Sequence, residues 1–174
     1  PDRFLSEKGF RQFLSNNMAI SFDEKSGKLI SQFAVIGHCR LVLSGTEVIH
    51  ANNQPVISGP IVGIHNGLIT NESELIKKHE FLHNRGSIDS EIIFRLINKY
   101  CEEGNSIRSA TAKCFNDIEG TASIAFFRQG GNQLILATNY GSIYISRSNG
   151  LVIFASEKAI LESFIAANKS LIGA

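Results

Sequence analysis

Cysteine is scarce in this chain and poorly spaced for structural work. Cys39, Cys101 and Cys114 are an odd number, and no two of them form a C-x-x-C pair. That argues against a disulfide framework and fits reduced thiols in a cytoplasm. An excess of charge of one sign is also missing. Lys and Arg number 17 against 16 acids, a formal net charge of +1, which leaves no global attraction toward nucleic acid or a membrane surface. No apolar run approaches the length of a membrane span, and no stretch resembles a secretory leader. There is no internal repeat, no low-complexity tract and no Pro/Ser-rich linker. The 174 residues therefore read as one well-buried domain, too short for two comfortable ones. An initiating methionine is absent as well. The sequence opens at Pro1, and the expectation is a processed or trimmed segment.

What is present falls into strands at both ends with helices grouped between them. "FLSEKGFRQFL" places Phe4, Leu5, Phe10, Phe13 and Leu14 at a loosely helical spacing that Gly9 weakens. Strand candidates follow at Met18–Phe22 and Lys28–Leu41, divided by a turn-like Asp23–Gly27. Ser44–Gly59, rich in Asn, Gly and Ser, reads as an irregular loop. Next comes an apolar strand from Pro60 that is expected to stop at His65-Asn66-Gly67.

Three helices are predicted next. One follows Asn71, an N-cap residue type with Glu72 and Glu74 in the first turn, where they complement the helix dipole. A second follows Asp89, also a capping type, and buries Ile92, Ile93, Leu96, Ile97 and Tyr100. A third starts after Ser106 and presents Ile107, Ala110 and Cys114. "TASIAFFR", "QLILATN", "SIYIS" and "LVIFA" read as strands, with hairpin signals at Gly130-Gly131 and Asn149-Gly150. A last helix spans about Glu157 to Ala167. This order argues for an α+β layered domain and against a doubly wound parallel sheet.

Several residues could carry chemistry. "HEFLH", His79 to His83, matches the H-E-x-x-H pattern that holds zinc on one helix face. Asn84-Arg85-Gly86 follow at once, so His83 falls where the helix frays, and no histidine follows it to serve as a third ligand. A solvent-facing histidine pair at a helix end is the preferred reading, and no metal is expected. Pro1 could act as a base through its α-amine if it were a true terminus in a pocket. Cys39 could be a nucleophile, although no base can be placed beside it. Cys101 and Cys114 fall on helices and read as core residues.

"GHCRLVLSG" (37–45), "HNGLITN" (65–71) and "SIDSEIIFRL" (87–96) form a more coherent set. Arg40 offers a planar fork for a carboxylate, and Asp89 can accept from an ammonium. The Asn66 side chain and the Gly67 N–H can stabilise a developing oxyanion. A cation, an anion and an oxyanion hole describe a site for an α-amino acid whose side-chain carbonyl is attacked. Taken singly, each residue has a plainer alternative: a surface ion pair, a hairpin turn, a helix cap.

These segments, in this order, resemble the glutaminase domain of class II glutamine amidotransferases, nearest to that of glucosamine-6-phosphate synthase. "HCRLVLSG" resembles the family's His-x-Arg strand and "NNQPV" (52–56) its x-Pro loop. "HNGLITN" resembles its His-Asn-Gly-x-x-x-Asn, "IDSEII" its Asp-[Ser/Thr]-Glu-[Val/Ile] helix start, and "FASEKAIL" (154–161) its closing strand and helix. The resemblance implies a four-layer αββα sandwich of the N-terminal-nucleophile hydrolase type. It also implies that residues 1–174 are a single glutaminase domain, incomplete at its N-terminus and lacking the first strand.

By the same resemblance Arg40 would hold the glutamine α-carboxylate and Asp89 its α-ammonium, with Ser44 among the substrate-binding residues. Asn66 and Gly67 would form the oxyanion hole. The nucleophile would be an N-terminal cysteine upstream of Pro1, and no cofactor is implied. Glutamine and an ammonia-accepting synthase domain or subunit are the partners implied, with a sugar phosphate as acceptor; a homodimer is compatible. Amidophosphoribosyl transfer and asparagine synthesis use the same domain. A glutamine-binding sensor without a nucleophile is the non-enzymatic alternative.

Overall fold

The computed structural model describes residues 9, 12, 15, 16, 19–23, 25, 26, 28, 30–38, 54–83, 89–148 and 150–169. The chain divides into two units, Pro1–Val35 and Ile36–Ala174, each described by itself.

In the first unit Ala19–Ser21 is a short 3-10 turn. Asp23 Oδ1 accepts from Ser26 N at 2.7 Å and from Ser26 Oγ at 2.6 Å. Asp23 N donates to Lys28 O at 2.8 Å, so the turn expected between Asp23 and Gly27 forms. The flanking strands do not. Residues 19–21 are helical, Phe22 makes only an isolated bridge, and Lys28 and 30–38 are not in a strand; residues 18, 29 and 39–41 lie outside the described residues. The reason is visible in Ile30, Phe33 and Val35, which are all exposed. Alternation specifies a strand only where a partner covers one face. The apolar residues of the proposed first helix, Phe4 to Leu14, lie outside the described residues.

The second unit contains β1 (Val56–Ser58), β2 (Ile61–Ile69), α1 (Glu72–Lys78), α2 (Asp89–Glu102), α3 (Ile107–Asp117), β3 (Gly120–Arg128), β4 (Leu134–Thr138), β5 (Tyr144–Ser148), β6 (Leu151–Ala155) and α4 (Lys158–Ala167). Strands β1 to β4 form an antiparallel sheet in sequence order, and β5 and β6 form a separate antiparallel pair. Helix α2 lies against β1, β2 and α3, and α4 lies against β5 and β6. The architecture is α+β, as the order of elements led one to expect. Among the described residues no helix is long and apolar enough to cross a membrane.

Local chemistry accounts for most of these elements. Ser106 caps α3 by accepting from Ser109 N at 3.2 Å. On α2 the apolar stripe Ile92, Ile93, Leu96, Ile97 and Tyr100 is buried, together with Phe94. Gly63 on β2 is what lets this helix approach, since a Cβ there would lie 2.4 Å from the Phe94 ring. Phe94 in turn packs obliquely on Phe126, with ring centroids 5.9 Å apart.

Three sequence expectations need correction here. Strand β1 arises within the stretch read as an irregular loop; three residues are too short for a periodic signal. Strand β2 does not stop at His65-Asn66-Gly67 but runs to Ile69, paired with β3 throughout, down to Ile69 opposite Gly120. Asn71 precedes α1 but makes no side-chain cap. Its amide donates to Asp117 O and accepts from Glu119 N, both at 2.8 Å. It thus ties the α3–β3 turn to the end of β2.

Candidate functional site

In an antiparallel ladder a residue directs both its N–H and its C=O to one neighbouring strand, and the next residue directs them to the other. Opposite Gly67 is Ala122, whose N–H and C=O are both taken by Asn139, at 2.8 and 3.1 Å. Gly67 and Ala122 therefore do not bond to each other. The Gly67 N–H points away from β3, toward the edge where β1 has already stopped; the β1 pairing reaches only Gly63. His65 and Ile69 face the same edge. His65 N donates to Gln54 Oε1 at 2.6 Å, and His65 O accepts from Gln54 Nε2 at 2.7 Å. Ile69 N donates to Asp89 Oδ2 at 3.2 Å. Between these two occupied positions, the Gly67 N–H has no acceptor among the described residues.

Only glycine fits this position. Its φ is +149°, and a Cβ would meet Thr121 O at 2.0 Å and His65 Nε2 at 2.8 Å. Asn66 is exposed and lies opposite Ser123. Its amide makes no hydrogen bond to a described residue.

Asp89 opens α2 half-buried, and besides Ile69 N its carboxylate accepts from Ser90 N at 2.8 Å. A carboxylate has about four acceptor positions, so capacity remains for a further cation. Behind it, His65 is buried. Burial pushes its imidazole below the ordinary histidine range against the pull of the Asp89 charge, and His38 pushes the same way. A neutral ring carries one proton. Thr121 O, 3.4 Å from Nε2, can only accept, so the proton sits on Nε2. Nδ1 then accepts from Ser90 Oγ at 3.0 Å. The chain Gln54–Ser90–His65–Thr121 is satisfied throughout and joins the free edge of β2 to the start of α2.

The glutamine amidotransferase domain family model matches residues 38–163. The chain belongs to this family. Among its relatives are the glutamine–fructose-6-phosphate aminotransferases (isomerizing) of Brucella abortus and Thermococcus kodakarensis. The first is 27% identical over 132 residues, 74% of this chain and 22% of that protein. The second is 30% identical over 129 residues, 70% of this chain and 21% of the relative. The chain thus spans about a fifth of the length of these relatives.

Among solved structures, a glutamine phosphoribosylpyrophosphate amidotransferase from B. subtilis superposes with a TM-score of 0.55 at 17% identity, over 66% of this chain and 27% of that one. The allosteric regulatory enzyme of purine biosynthesis gives 0.52 at 20% identity, over 64% and 25%. The fold is the N-terminal-nucleophile hydrolase type of these amidotransferases.

Of the residues singled out in this amidotransferase domain by sequence, Asn66, Gly67 and Asp89 come together where β2 meets α2. Arg40, Ser44 and Cys39 lie outside the described residues. The "HEFLH" stretch is not one helix: α1 ends at Lys78, and Glu80–Leu82 form a separate 3-10 turn. The two imidazoles therefore do not share a helical face at adjacent turns. The expected solvent-facing pair is also half wrong. His83 is exposed, but His79 packs on Phe81 with centroids 5.6 Å apart, and its buried Nε2 has no partner among the described residues. Cys114 is buried, and burial pushes its thiol far up; burial raises Cys101 as well. Neither resembles a nucleophile.

Gln54, His65 and Ser90 were missed as site residues. The first two belong to motifs already quoted, "NNQPV" and "HNG", and Ser90 follows Asp89. No periodic signal marks a residue whose task is to hold another's backbone.

Proposed function

We propose that this chain is a single glutaminase domain that holds glutamine and hydrolyses its side-chain amide. The released ammonia passes to an acceptor handled by a synthase domain or subunit. In this reading Asp89 receives the α-ammonium, and Arg40, with Ser44 nearby, the α-carboxylate. A cysteine thiolate, expected upstream of Pro1, attacks the amide carbon. The carbonyl oxygen becomes an oxyanion that accepts from the Gly67 N–H and the Asn66 amide. Collapse expels ammonia once the amide nitrogen has taken the proton that the thiol gave up, and water then cleaves the thioester to glutamate, returning the thiol. The observation that carries the reading is the Gly67 N–H, which has no acceptor among the described residues. It lies on a strand edge whose neighbouring positions are filled, beside an exposed Asn66 and close to a carboxylate with spare acceptor capacity. A sugar phosphate acceptor is supported by the names of the relatives, and the cytoplasm is the compartment this chemistry and the unpaired cysteines suit.

The test uses the full-length protein. It should hydrolyse glutamine and be labelled by a glutamine-like electrophile on one cysteine. Asn66→Ala should lower kcat by about 10²–10³ and weaken glutamine binding by much less, because the amide meets full negative charge only in the transition state. Asp89→Asn should cost about 2–5 kcal/mol of glutamine affinity. Asparagine keeps one of the two backbone acceptor contacts, so melting should fall only modestly. A protein that binds glutamine without turning it over is the sensor, and one that does neither refutes both readings.

A further inference from the structure

Strand β1 pairs with β2 through Val56 opposite Gly63. Two residues back along β1 and two forward along β2, the same register would set Gln54 opposite His65. A backbone partner there would supply one donor and one acceptor. Gln54 supplies both from its side chain instead, accepting from His65 N at 2.6 Å and donating to His65 O at 2.7 Å. The same Nε2 lies 3.4 Å from Ser90 Oγ, next to Asp89 in α2. One amide thus grips the peptide units around His65 and reaches the helix start that carries the carboxylate. On the edge of β2 it precedes the free Gly67 N–H, and Asp89 follows that N–H through its bond to Ile69 N.

We infer that Gln54 is a positioning residue for the reaction. Its amide stands in for the missing strand partner and fixes the direction of the Gly67 N–H relative to Asp89. It need not touch substrate. The inference rests on the glutaminase reading above. The physical case is one of preorganisation. An edge N–H in a two-sided strand is held by the ladder on both flanks, whereas past the end of β1 only this clamp and Asp89, among the described residues, hold the outer side of β2. An oxyanion donor acts only if it is aimed before charge develops, and small misplacements of such groups are costly.

The experiment compares full-length wild type with Gln54→Met, which keeps the length of the side chain but can make neither bond. A second variant, Gln54→Glu, keeps an acceptor for His65 N while setting a carboxylate oxygen against His65 O. Two readouts are taken: kcat and KM for glutamine hydrolysis, and hydrogen exchange at the His65 amide. Expected for both variants is a loss of kcat of about 10- to 100-fold with KM nearly unchanged, and for Gln54→Met, which removes the acceptor of His65 N, faster exchange at His65. A folded variant with wild-type kcat overturns the inference, as does a rise in KM at constant kcat, which would make Gln54 a matter of ground-state binding. Unchanged exchange at His65 in Gln54→Met overturns the clamp itself. If the wild type does not hydrolyse glutamine, the functional reading falls and this inference with it. The exchange measurement then shows separately whether the clamp forms.

Discussion

Helices α2 and α4 make an instructive pair. The sequence of α4, "KAILESFIAA", is the more apolar, yet Ile160 and Phe164 are 55% and 51% exposed and only Leu161 is buried. The sequence of α2, "DSEIIFRLINKYCE", alternates apolar with charged and amide residues, yet Ile92, Ile93, Phe94, Leu96 and Ile97 are all 0% exposed. The difference lies in what each helix has to cover. Helix α2 lies between a four-stranded sheet and α3, whereas α4 has a two-stranded hairpin. Burial is a property of the partner surface as much as of the helix, and a hairpin offers too little area to cover a helix face.

The contrast can be broken most directly at Phe94. Truncation to Ala removes a fully buried ring from the contact with Phe126 and should cost about 3–5 kcal/mol by urea denaturation. A cost below about 1 kcal/mol would mean that this region is no better packed than the hairpin.

Acid should act on the same region, though less strongly. His65 is buried and its folded pKa is lowered, so on acidification the unfolded chain takes up a proton near pH 6.5 that the folded chain refuses. Stability is therefore full above that value and declines as pH falls from it toward the folded pKa. The slope is at most about 1.4 kcal/mol per pH unit. The check is stability against pH in wild type and His65→Asn; equal slopes for the two would remove His65 as the cause.

The smallest effect is expected at Phe164. Its replacement by Ala should shift stability by no more than about 0.5 kcal/mol, measured by the same denaturation. A larger loss would show that α4 packs more tightly than its exposure indicates, and the comparison would fail.

Elements whose signals are local were legible before any coordinates. Ser106 marks the start of α3 because its hydroxyl reaches an amide three residues on. The stripe on α2 follows from helical period, and the two glycine-bearing hairpins follow from turn chemistry. Elements that depend on a distant partner were misread. The candidate Lys28–Leu41 promised a strand, but its described residues join no ladder. Asn71 had the right type and place for a cap, but the α3–β3 turn claimed its amide. His65-Asn66-Gly67 resembled a strand end, because Asn-Gly ordinarily turns a chain. Here a glycine in an unusual backbone conformation lets β3 stay paired instead.

By itself, then, the sequence determined the α+β order of elements, the helical core stripe and the motifs that place the chain among the glutamine amidotransferase domains. All of these reside in neighbouring residues or in spacings along the chain. Only the tertiary structure decided which edge of β2 lies beyond the end of β1 and which N–H on it has no acceptor among the described residues. It also decided that Gln54 substitutes for a strand, and that Ser90 rather than solvent hydrogen-bonds the His65 ring. Those outcomes depend on where another strand stops and on which donors and acceptors that leaves free. No local pattern encodes the end of a neighbour that is distant in sequence.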